Sequence, residues 1–275
     1  MRSAVTISLL PEARGGPFVF WDDLAAGFGA AARYGFDAVE LFLPSANAVA
    51  SESIRSLMKK HSLKLAAVGT GAGWVKHKLR LTDPDPSVRE QALAFCDGMI
   101  EFAGGLGAPV IIGSMQGRWD GGPGSSERER ALDWLADALQ QLSERASIRG
   151  TAVLYEPLNR YETNLFTRVT DASVFLDSRG IQNVKLLADL FHMNIEEADI
   201  AMALRQIAPR LGHIHWADSN RQAVGFGHTD IVPIATTLRS IGYQGYLSAE
   251  VLPLPDSNAA AKQSVDSIRR WFPKS

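Results

Sequence analysis

The sequence predicts an α/β fold, a single (β/α)8 TIM barrel, and three observations lead to this prediction. Short β-rich runs alternate with amphipathic stretches along the chain, which indicates parallel strands joined by crossover helices. The β-rich runs are almost continuously apolar, as expected for a sheet that is buried on both faces. Eight strand–helix units share 275 residues, about 34 residues each, which is the size expected of this barrel.

The predicted elements follow one another in a regular order. The strands are expected at residues 4–10, 38–42, 64–69, 108–113, 151–156, 183–189, 211–217 and 245–252. The helices are expected at residues 22–34, 47–60, 87–103, 125–146, 169–179, 197–207, 231–240 and 257–271. In the third of these helices the apolar residues recur at steps of three and four, with Ser87 as the predicted N-cap and Gly104 as the stop signal.

No linker divides the chain. The Gly-rich segment 117–126 is interpreted as a strand-to-helix loop, so residues 1–275 are predicted to form one domain. A doubly wound open sheet is the main alternative architecture. Against it, the first strand is not followed by the G-x-G-x-x-G turn that binds dinucleotides in such folds.

Composition and charge exclude several classes of protein. A net charge of −2 and a pI of about 6.3 argue against a nucleic-acid surface, which needs a basic stripe. The single cysteine, Cys96, rules out an intrachain disulfide and fits a reducing compartment. The first apolar run is interrupted by Pro11 and Glu12, which makes it too short for a signal peptide, and no other run approaches the ~18 residues of a membrane span. We therefore expect a cytoplasmic protein with no nucleic-acid or membrane partner.

The last four predicted strands carry side chains that ligate metals at or near their C-terminal ends. These side chains are Glu156, Asp189, His215 and Glu250. Barrel enzymes have their active sites at this end of the strands. A buried carboxylate is costly unless it is paired or bound to a cation, and three carboxylates meeting there would repel one another. The pattern predicts one divalent ion in a mostly oxygen site, which suits Mn²⁺, Mg²⁺ or Co²⁺.

Each of these residues also has a structural interpretation. A carboxylate at a strand end caps the next helix or pairs with an arginine about as often as it binds a metal. His213 lies on the same strand face as His215 but deeper, and we expect it to be packed or to support a ligand. The occurrence of four candidates on four successive strands favours the metal site, and His192, three residues after Asp189, is expected to face the same mouth.

Several segments resemble a known family. They are EPLNRYET (156–163), DLFHMNIEE (189–197), HWADSNR (215–221) and SAEVLPLP (248–255). They resemble the sugar isomerase/epimerase family with a xylose isomerase-like TIM barrel, and within it the ketose 3-epimerases of the D-tagatose/D-psicose type and 5-keto-L-gluconate epimerase. The resemblance covers most of the chain, because residues 67–85 and 108–118 also look like the last of these groups.

The resemblance implies a chemistry. The implied metal ligands, which would hold one divalent ion, usually Mn²⁺, are Glu156, Asp189, His215 and Glu250. Glu156 and Glu250 would also form the acid/base pair that inverts C3 of a ketose or keto-sugar acid through an enediolate. The implied partners are therefore a small-molecule sugar and further copies of the chain, in a dimer or tetramer.

The resemblance also implies which residues bind the substrate. Glu162, His192 and Arg221 would contact its oxygens around C1–C3, and Arg221 would stabilise the developing negative charge. Two loops depart from the keto-gluconate group, since residues 71–78 are bulkier and more basic and residue 116 is Gln instead of a second arginine.

These departures concern the distal end of the substrate. Arg118, together with Lys76 or His77, is a candidate for binding a sugar-acid carboxylate.

Four other functions compete with epimerisation. An aldose–ketose isomerase of hydroxypyruvate isomerase type would use the same metal and carboxylates, and a lyase acting on a keto-sugar would also begin with proton abstraction. A DNA-repair endonuclease on the same barrel would need a basic face and more histidines than the six present. A non-catalytic binding module would have no need of an intact ligand set.

Overall fold

The computed structural model describes residues 1–121 and 127–273, and its centre is a closed barrel of eight parallel strands. The strands are β1 (Arg2–Ser8), β3 (Ala38–Phe42), β4 (Lys64–Gly69), β5 (Val110–Ile112), β6 (Val153–Tyr155), β7 (Val184–Asp189), β8 (Leu211–His215) and β9 (Tyr246–Ala249). Each strand pairs with its neighbour in chain order, and β1 also pairs with β9, which closes the ring. The short β2 (Phe20–Trp21) pairs with β1 only. The predicted barrel is confirmed.

Helices surround the barrel and connect successive strands. They are α1 (Leu24–Tyr34), α2 (Ser51–His61), α3 (Ala72–His77), α4 (Pro86–Gly104), α5 (Glu127–Ile148), α6 (Val169–Ser178), α7 (Leu190–Glu196), α8 (Ile200–Gln206), α9 (Ile231–Ser240) and α10 (Ser257–Trp271). Residues 122–126, which include half of the predicted Gly-rich loop and the predicted start of the fourth helix, lie outside the described residues. Within the described part of the chain, no helix is long and apolar enough to cross a membrane.

Two details of the helix prediction are wrong. Ser87 is not the N-cap of α4, because Asp85 accepts a hydrogen bond from the Ser87 backbone N–H at 2.8 Å and Pro86 begins the helix. The helix expected at 197–207 corresponds to α8 alone, and the short helix α7 before it is absent from the predicted helices. Asp199 caps α8 and accepts a hydrogen bond from the Met202 backbone N–H, which separates it from α7.

The barrel interior is partly apolar and partly polar. A small cluster of buried apolar side chains is formed by Ala67, Ile111, Leu154 and Leu187. Buried polar side chains stand in register with it, Glu40 beside Ala67 and His213 beside Leu187. Asp189 and His215, the last residues of their strands, are also buried. Because all strands are parallel, these strand ends lie at one end of the barrel, which is the end where barrel active sites lie.

Candidate active site

The four predicted metal ligands meet at the C-terminal mouth of the barrel. Asp189 and His215 are the last residues of β7 and β8 and are paired in register, while Glu156 and Glu250 directly follow β6 and β9. One potential ligand atom from each of the four lies within 4.8 Å of the others. Strand ends that are far apart in the sequence therefore supply three carboxylates and one imidazole to a single point.

His215 lies at the centre of this cluster. Its Nδ1 is 3.1 Å from Oε1 of Glu156, 3.2 Å from Oδ2 of Asp189 and 3.3 Å from Oε2 of Glu250. The Oε1 atom of Glu156 is buried and has no hydrogen-bond partner. Such an atom is costly in a protein interior, and a cation among these oxygens would satisfy it. The residues present therefore fit a divalent metal ion.

The carboxylates strongly favour a positive charge on the imidazole between them. Burial by itself would lower the pKa of His215, but Glu250, Glu40 and Glu156 raise it well above its ordinary value. Burial raises the pKa of Glu250 to about 8, although the positive charges of His215 and Arg221 oppose this change. A metal ion that binds here would therefore compete with the proton that these carboxylates favour on the imidazole.

The two oxygens of Asp189 have different partners. Oδ1 caps α7 and accepts hydrogen bonds from the backbone N–H groups of Phe191 at 2.8 Å and His192 at 3.4 Å. Oδ2 faces the cluster and lies 3.0 Å from Nη1 of Arg221. Burial alone would raise the pKa of Asp189, but the charge of Arg221 holds it well below its usual range. The helix-capping interpretation and the ligand interpretation of this residue are therefore compatible.

Arg221 connects two of the carboxylates. Its guanidinium pairs with Asp189 and with Oε2 of Glu250, and it lies over the ring of Phe191 at 4.7 Å from the centroid. Arg221 has a φ of 59°, in the left-handed backbone region, which is unusual for residues other than Gly, Asn or Asp. The loop after β8 thus holds a largely buried cation against the cluster.

His192 presents one ring nitrogen to the cavity. Its Nδ1 accepts from the backbone N–H of Asn159 at 3.2 Å, and a backbone N–H can only donate. Burial lowers the pKa of His192, which favours the neutral ring. Its Nε2 lies 3.3 Å from Nη1 of Arg221 and 3.8 Å from Oδ2 of Asp189. Glu162 joins this group, since its Oε1 accepts from Nδ2 of Asn159 at 3.0 Å.

A cavity of about 450 Å³ opens above the cluster, a volume that suits a small ligand such as a sugar. Its lining includes five residues predicted for the site, namely Glu156, Glu162, His192, Arg221 and Glu250. Asp189 and His215 are buried beside these residues and complete the cluster. The structure thus brings together every predicted site residue but one.

The exception is Arg118, which lies apart from this group, so its contact with a substrate stays a prediction. Among the described residues, those that line the cavity do not include Arg118, Lys76 or His77. The chain turns at Gly117, whose φ is +83°, and the exposed Arg118 side chain approaches the carbonyl oxygen of Tyr161 at 3.4 Å instead. Lys76 pairs with Glu12 at 3.4 Å.

The family model for a xylose isomerase-like TIM barrel matches residues 28–271. The chain belongs to this family.

Two relatives in sequence and one solved structure show which proteins this xylose isomerase-like barrel is similar to. The chain is 36% identical over 128 residues to the 3-dehydro-D-guloside 4-epimerase of Escherichia coli, a match that covers 46% of this chain and 48% of that enzyme. It is 29% identical over 246 residues to the L-ribulose 3-epimerase of Methylomonas sp.. That match covers 86% of this chain and 83% of the relative. These relatives are named epimerases, that is, carbohydrate isomerases.

A solved structure of a 3-keto-D-glucoside 4-epimerase from E. coli superposes with a TM-score of 0.80. The match is 23% identical in sequence and covers 98% of this chain and 100% of that one. At this level of identity the likeness concerns the fold alone.

One buried residue of this xylose isomerase-like barrel was missed by the sequence analysis. Glu40 lies within β3, is 3% exposed, and contacts both histidines of β8. Its Oε1 is 3.1 Å from Nε2 of His215, and its Oε2 is 2.8 Å from Nε2 of His213. The only sequence signal was a glutamate between the apolar residues Val39 and Leu41, in a strand that is otherwise buried.

Gln116, which stands where a second arginine was expected, has a structural role at the edge of the site. Its Oε1 accepts a hydrogen bond from the hydroxyl of Tyr155 at 2.7 Å, and its Nε2 donates to the carbonyl of Glu156 at 3.0 Å. The residue is fully buried and therefore supports the backbone that carries Glu156.

Proposed function

We propose that this protein is a metal-dependent carbohydrate epimerase that inverts C3 of a ketose. The observation that carries the proposal is the pair of carboxylates, Glu156 and Glu250, which flank one imidazole below a cavity of sugar size. Two bases that reach one carbon from different strands are what an inversion by proton transfer requires. The similarity to proteins named L-ribulose 3-epimerase and D-psicose 3-epimerase supports this reaction.

The metal in this proposal is held by the cluster of four residues around the unpartnered oxygen of Glu156. The proposed ligands are Glu156, Asp189, His215 and Glu250. A site with several oxygens and one nitrogen suits Mn²⁺, which we propose as the native ion, with Mg²⁺ or Co²⁺ as substitutes. When bound, the ion withdraws electron density from the sugar's carbonyl oxygen and so makes the neighbouring C–H bond more acidic.

The side chains then have distinct roles. Either Glu156 or Glu250 takes the proton from C3, depending on the epimer that is bound, and the other supplies a proton on the opposite face. Arg221 is paired with Glu250, so it holds that carboxylate in position and stabilises negative charge that develops on the substrate. His192 contacts a substrate oxygen through Nε2, and Glu162 accepts from a hydroxyl group.

The charge of the cavity favours an uncharged ketose over a keto-sugar acid. Among the described lining residues, glutamates outnumber arginines five to two. Both arginines already have carboxylate partners, since Arg14 pairs with Asp22 and Arg221 pairs with Asp189 and Glu250. One divalent ion would not reverse this excess of negative charge, so a carboxylate or phosphate on the substrate would be repelled.

The test is a screen of ketoses and keto-hexonates in D₂O with the Mn²⁺-loaded protein. We expect solvent deuterium at C3 of the product, because each carboxylate exchanges its proton with water between turnovers, and a higher kcat/KM for neutral ketoses. Deuterium at C1 with an aldose product would replace the proposal by aldose–ketose isomerisation, and fragmentation of the sugar would replace it by a lyase reaction.

Matched variants assign the two bases. We expect Glu156→Gln and Glu250→Gln each to lower turnover by about 10³-fold, because the amide keeps an oxygen for the metal but cannot accept the proton. Glu101→Gln on the surface of α4 is the control and should leave turnover unchanged. Full activity of either active-site variant would remove that residue from the acid/base pair.

We also propose that the protein is cytoplasmic and forms a homo-oligomer. The single, fully buried cysteine supports a reducing compartment. Exposed apolar side chains on neighbouring helices, Met202 at 57% and Val232 at 57%, support contact between copies. Light scattering of the purified protein would give the number of chains per particle. A monomer would contradict the proposed homo-oligomer.

A further inference from the structure

Glu40 forms a bridge between the metal-ligand cluster and the closed interior of the barrel. One carboxylate oxygen lies 3.1 Å from Nε2 of His215, whose Nδ1 faces the other three ligands. The second oxygen lies 2.8 Å from Nε2 of His213. Both oxygens of Glu40 and the inner nitrogen of each histidine are therefore used within one buried group.

Burial of these charged side chains is not expected to stabilise the barrel. Glu40 is 3% exposed, His213 is 1% exposed and His215 is fully buried. A buried ionic group is often no more stabilising than apolar side chains of the same volume would be. The contact also crosses the barrel, because β3 and β8 are separated by β1 and β9 in the sheet. A role in stability alone does not account for it.

We propose that Glu40 is a positioning residue that fixes the tautomer and the ring orientation of the metal ligand His215, while His213 holds the second oxygen of Glu40. This inference rests on the metal site of the proposed function. An ionised carboxylate can only accept hydrogen bonds, so Nε2 of His215 carries the proton in the metal-bound protein and Nδ1 presents its lone pair to the ion. The negative charge also makes the imidazole a stronger ligand.

His213 completes the arrangement from the opposite side. Its Nε2 donates to Oε2 of Glu40, which leaves Oε1 directed at His215. The ring of Tyr246 lies 6.3 Å from the ring of His213. The carboxylate of Glu40 is therefore held between two imidazoles, and its loss would release the ring of His215.

The same three side chains could instead form a second metal site, since their potential ligand atoms lie within 4.8 Å of one another. The hydrogen-bond geometry favours the positioning role, because each of these atoms already has a partner within the group. Metal stoichiometry separates the two cases. The positioning role requires one ion per chain, and two ions per chain with the second lost in His213→Gln would overturn it.

The decisive experiment measures Mn²⁺ affinity without reference to activity. The metal-free protein is titrated with Mn²⁺ at fixed pH, and free Mn²⁺ is followed by electron paramagnetic resonance. We expect Glu40→Gln to raise the Kd for Mn²⁺ by about 10- to 100-fold, the usual cost of losing such a partner. Glu196→Gln, which changes another buried glutamate that pairs with Arg160, should stay within about twofold of wild type.

A second measurement detects the hydrogen bond from His215 to Glu40. In proton–nitrogen-15 spectra of the Mg²⁺-loaded protein, the Nε2 proton of His215 should be shifted far downfield and slow to exchange with water. In Glu40→Ala it should move upfield and exchange faster, and Glu40→Gln serves if the alanine variant does not fold. Unchanged Mn²⁺ affinity in folded Glu40→Gln, or a proton on Nδ1 of wild-type His215, would overturn the inference.

These outcomes are separate from those of the proposed function. Epimerase activity with equal Mn²⁺ affinity in wild type and Glu40→Gln would end this inference and leave the function intact. Weaker Mn²⁺ binding in Glu40→Gln, together with no sugar turnover by wild type, would support this inference and contradict the proposed function.

Discussion

Several residues of the site use their two polar ends for different tasks. Asp189 caps α7 with one oxygen and faces the cluster with the other. His215 faces the cluster with Nδ1 and contacts Glu40 with Nε2. A side chain that is held at both ends loses little further freedom when it binds an ion, so the site is already organised before binding.

A glycine at residue 113 makes room for Glu156. A Cβ atom at this position would lie 2.5 Å from Oε2 of Glu156, closer than real contacts allow. We expect Gly113→Ala to displace this carboxylate and to raise the Kd for Mn²⁺ by at least about tenfold, measured by titration of the metal-free protein. The control is Gly98→Ala in α4, where the new Cβ would meet Ala46 at an ordinary 3.7 Å. Wild-type affinity in Gly113→Ala would show that Glu156 tolerates the shift.

At the scale of elements, the loops after the strands position the side chains that the strands themselves cannot carry. The loop after β8 is organised by Asp218, which is 1% exposed. Its carboxylate accepts from the backbone N–H groups of Ser219 at 2.7 Å, Gly225 at 2.7 Å and Thr229 at 3.0 Å. This loop carries Arg221, whose backbone N–H donates to the carbonyl of Asp218 at 2.9 Å.

Removal of this carboxylate should affect the site through Arg221. We expect Asp218→Ala to cost on the order of 3 kcal/mol of unfolding free energy, because several buried N–H groups lose their acceptor. We also expect faster hydrogen exchange at Gly225 and Thr229 and a higher KM for the ketose. Asp230→Ala, which removes only the N-cap of α9 in the same loop, should cost about 1 kcal/mol and leave KM unchanged. Equal KM values in both variants would contradict the role of Asp218.

At the scale of the whole molecule, the cluster connects the ends of strands that are distant in sequence. Its ligands come from β6 to β9, and Glu40 adds a contact to β3 on the other side of the barrel. An ion that binds these groups only in the folded protein stabilises the whole barrel by mass action.

Metal removal should therefore lower the melting temperature. At 100 times the Kd, bound Mn²⁺ contributes about 2.7 kcal/mol, which corresponds to roughly 5 °C for a chain of this size. The shift should increase from pH 6.5 to pH 8, because the raised pKa of His215 means that a proton competes with the metal at the lower pH. One displaced proton changes the affinity about tenfold per pH unit.

Thermal unfolding of chelator-treated and Mn²⁺-loaded protein at the two pH values measures this effect. Asp189→Ala should show no metal-dependent shift, because one of the four ligands is lost and the other two carboxylates still repel each other. An equal shift at both pH values would contradict the displacement of a proton by the metal.

The order of strands and helices could be predicted from the sequence because it depends on local patterns. Apolar runs of strand length alternate with helical periodicity, and parallel strands place all their C-terminal ends on one rim. The candidate metal ligands could be located in the same way, since each of them ends or follows a strand. Errors arose at helix boundaries, where Asp85 and Asp199 compete with other capping residues.

The tertiary structure alone decided the parts of the site that depend on closure of the barrel. Glu40 is surrounded in the sequence by ordinary strand residues, and its contact with His213 joins positions 173 residues apart. Arg118 is close to the mouth in the sequence, yet the turn at Gly117 directs it to the loop that contains Tyr161. Local patterns determine which side chains reach the rim of a barrel, but contacts across its interior exist only once the ring of strands has closed.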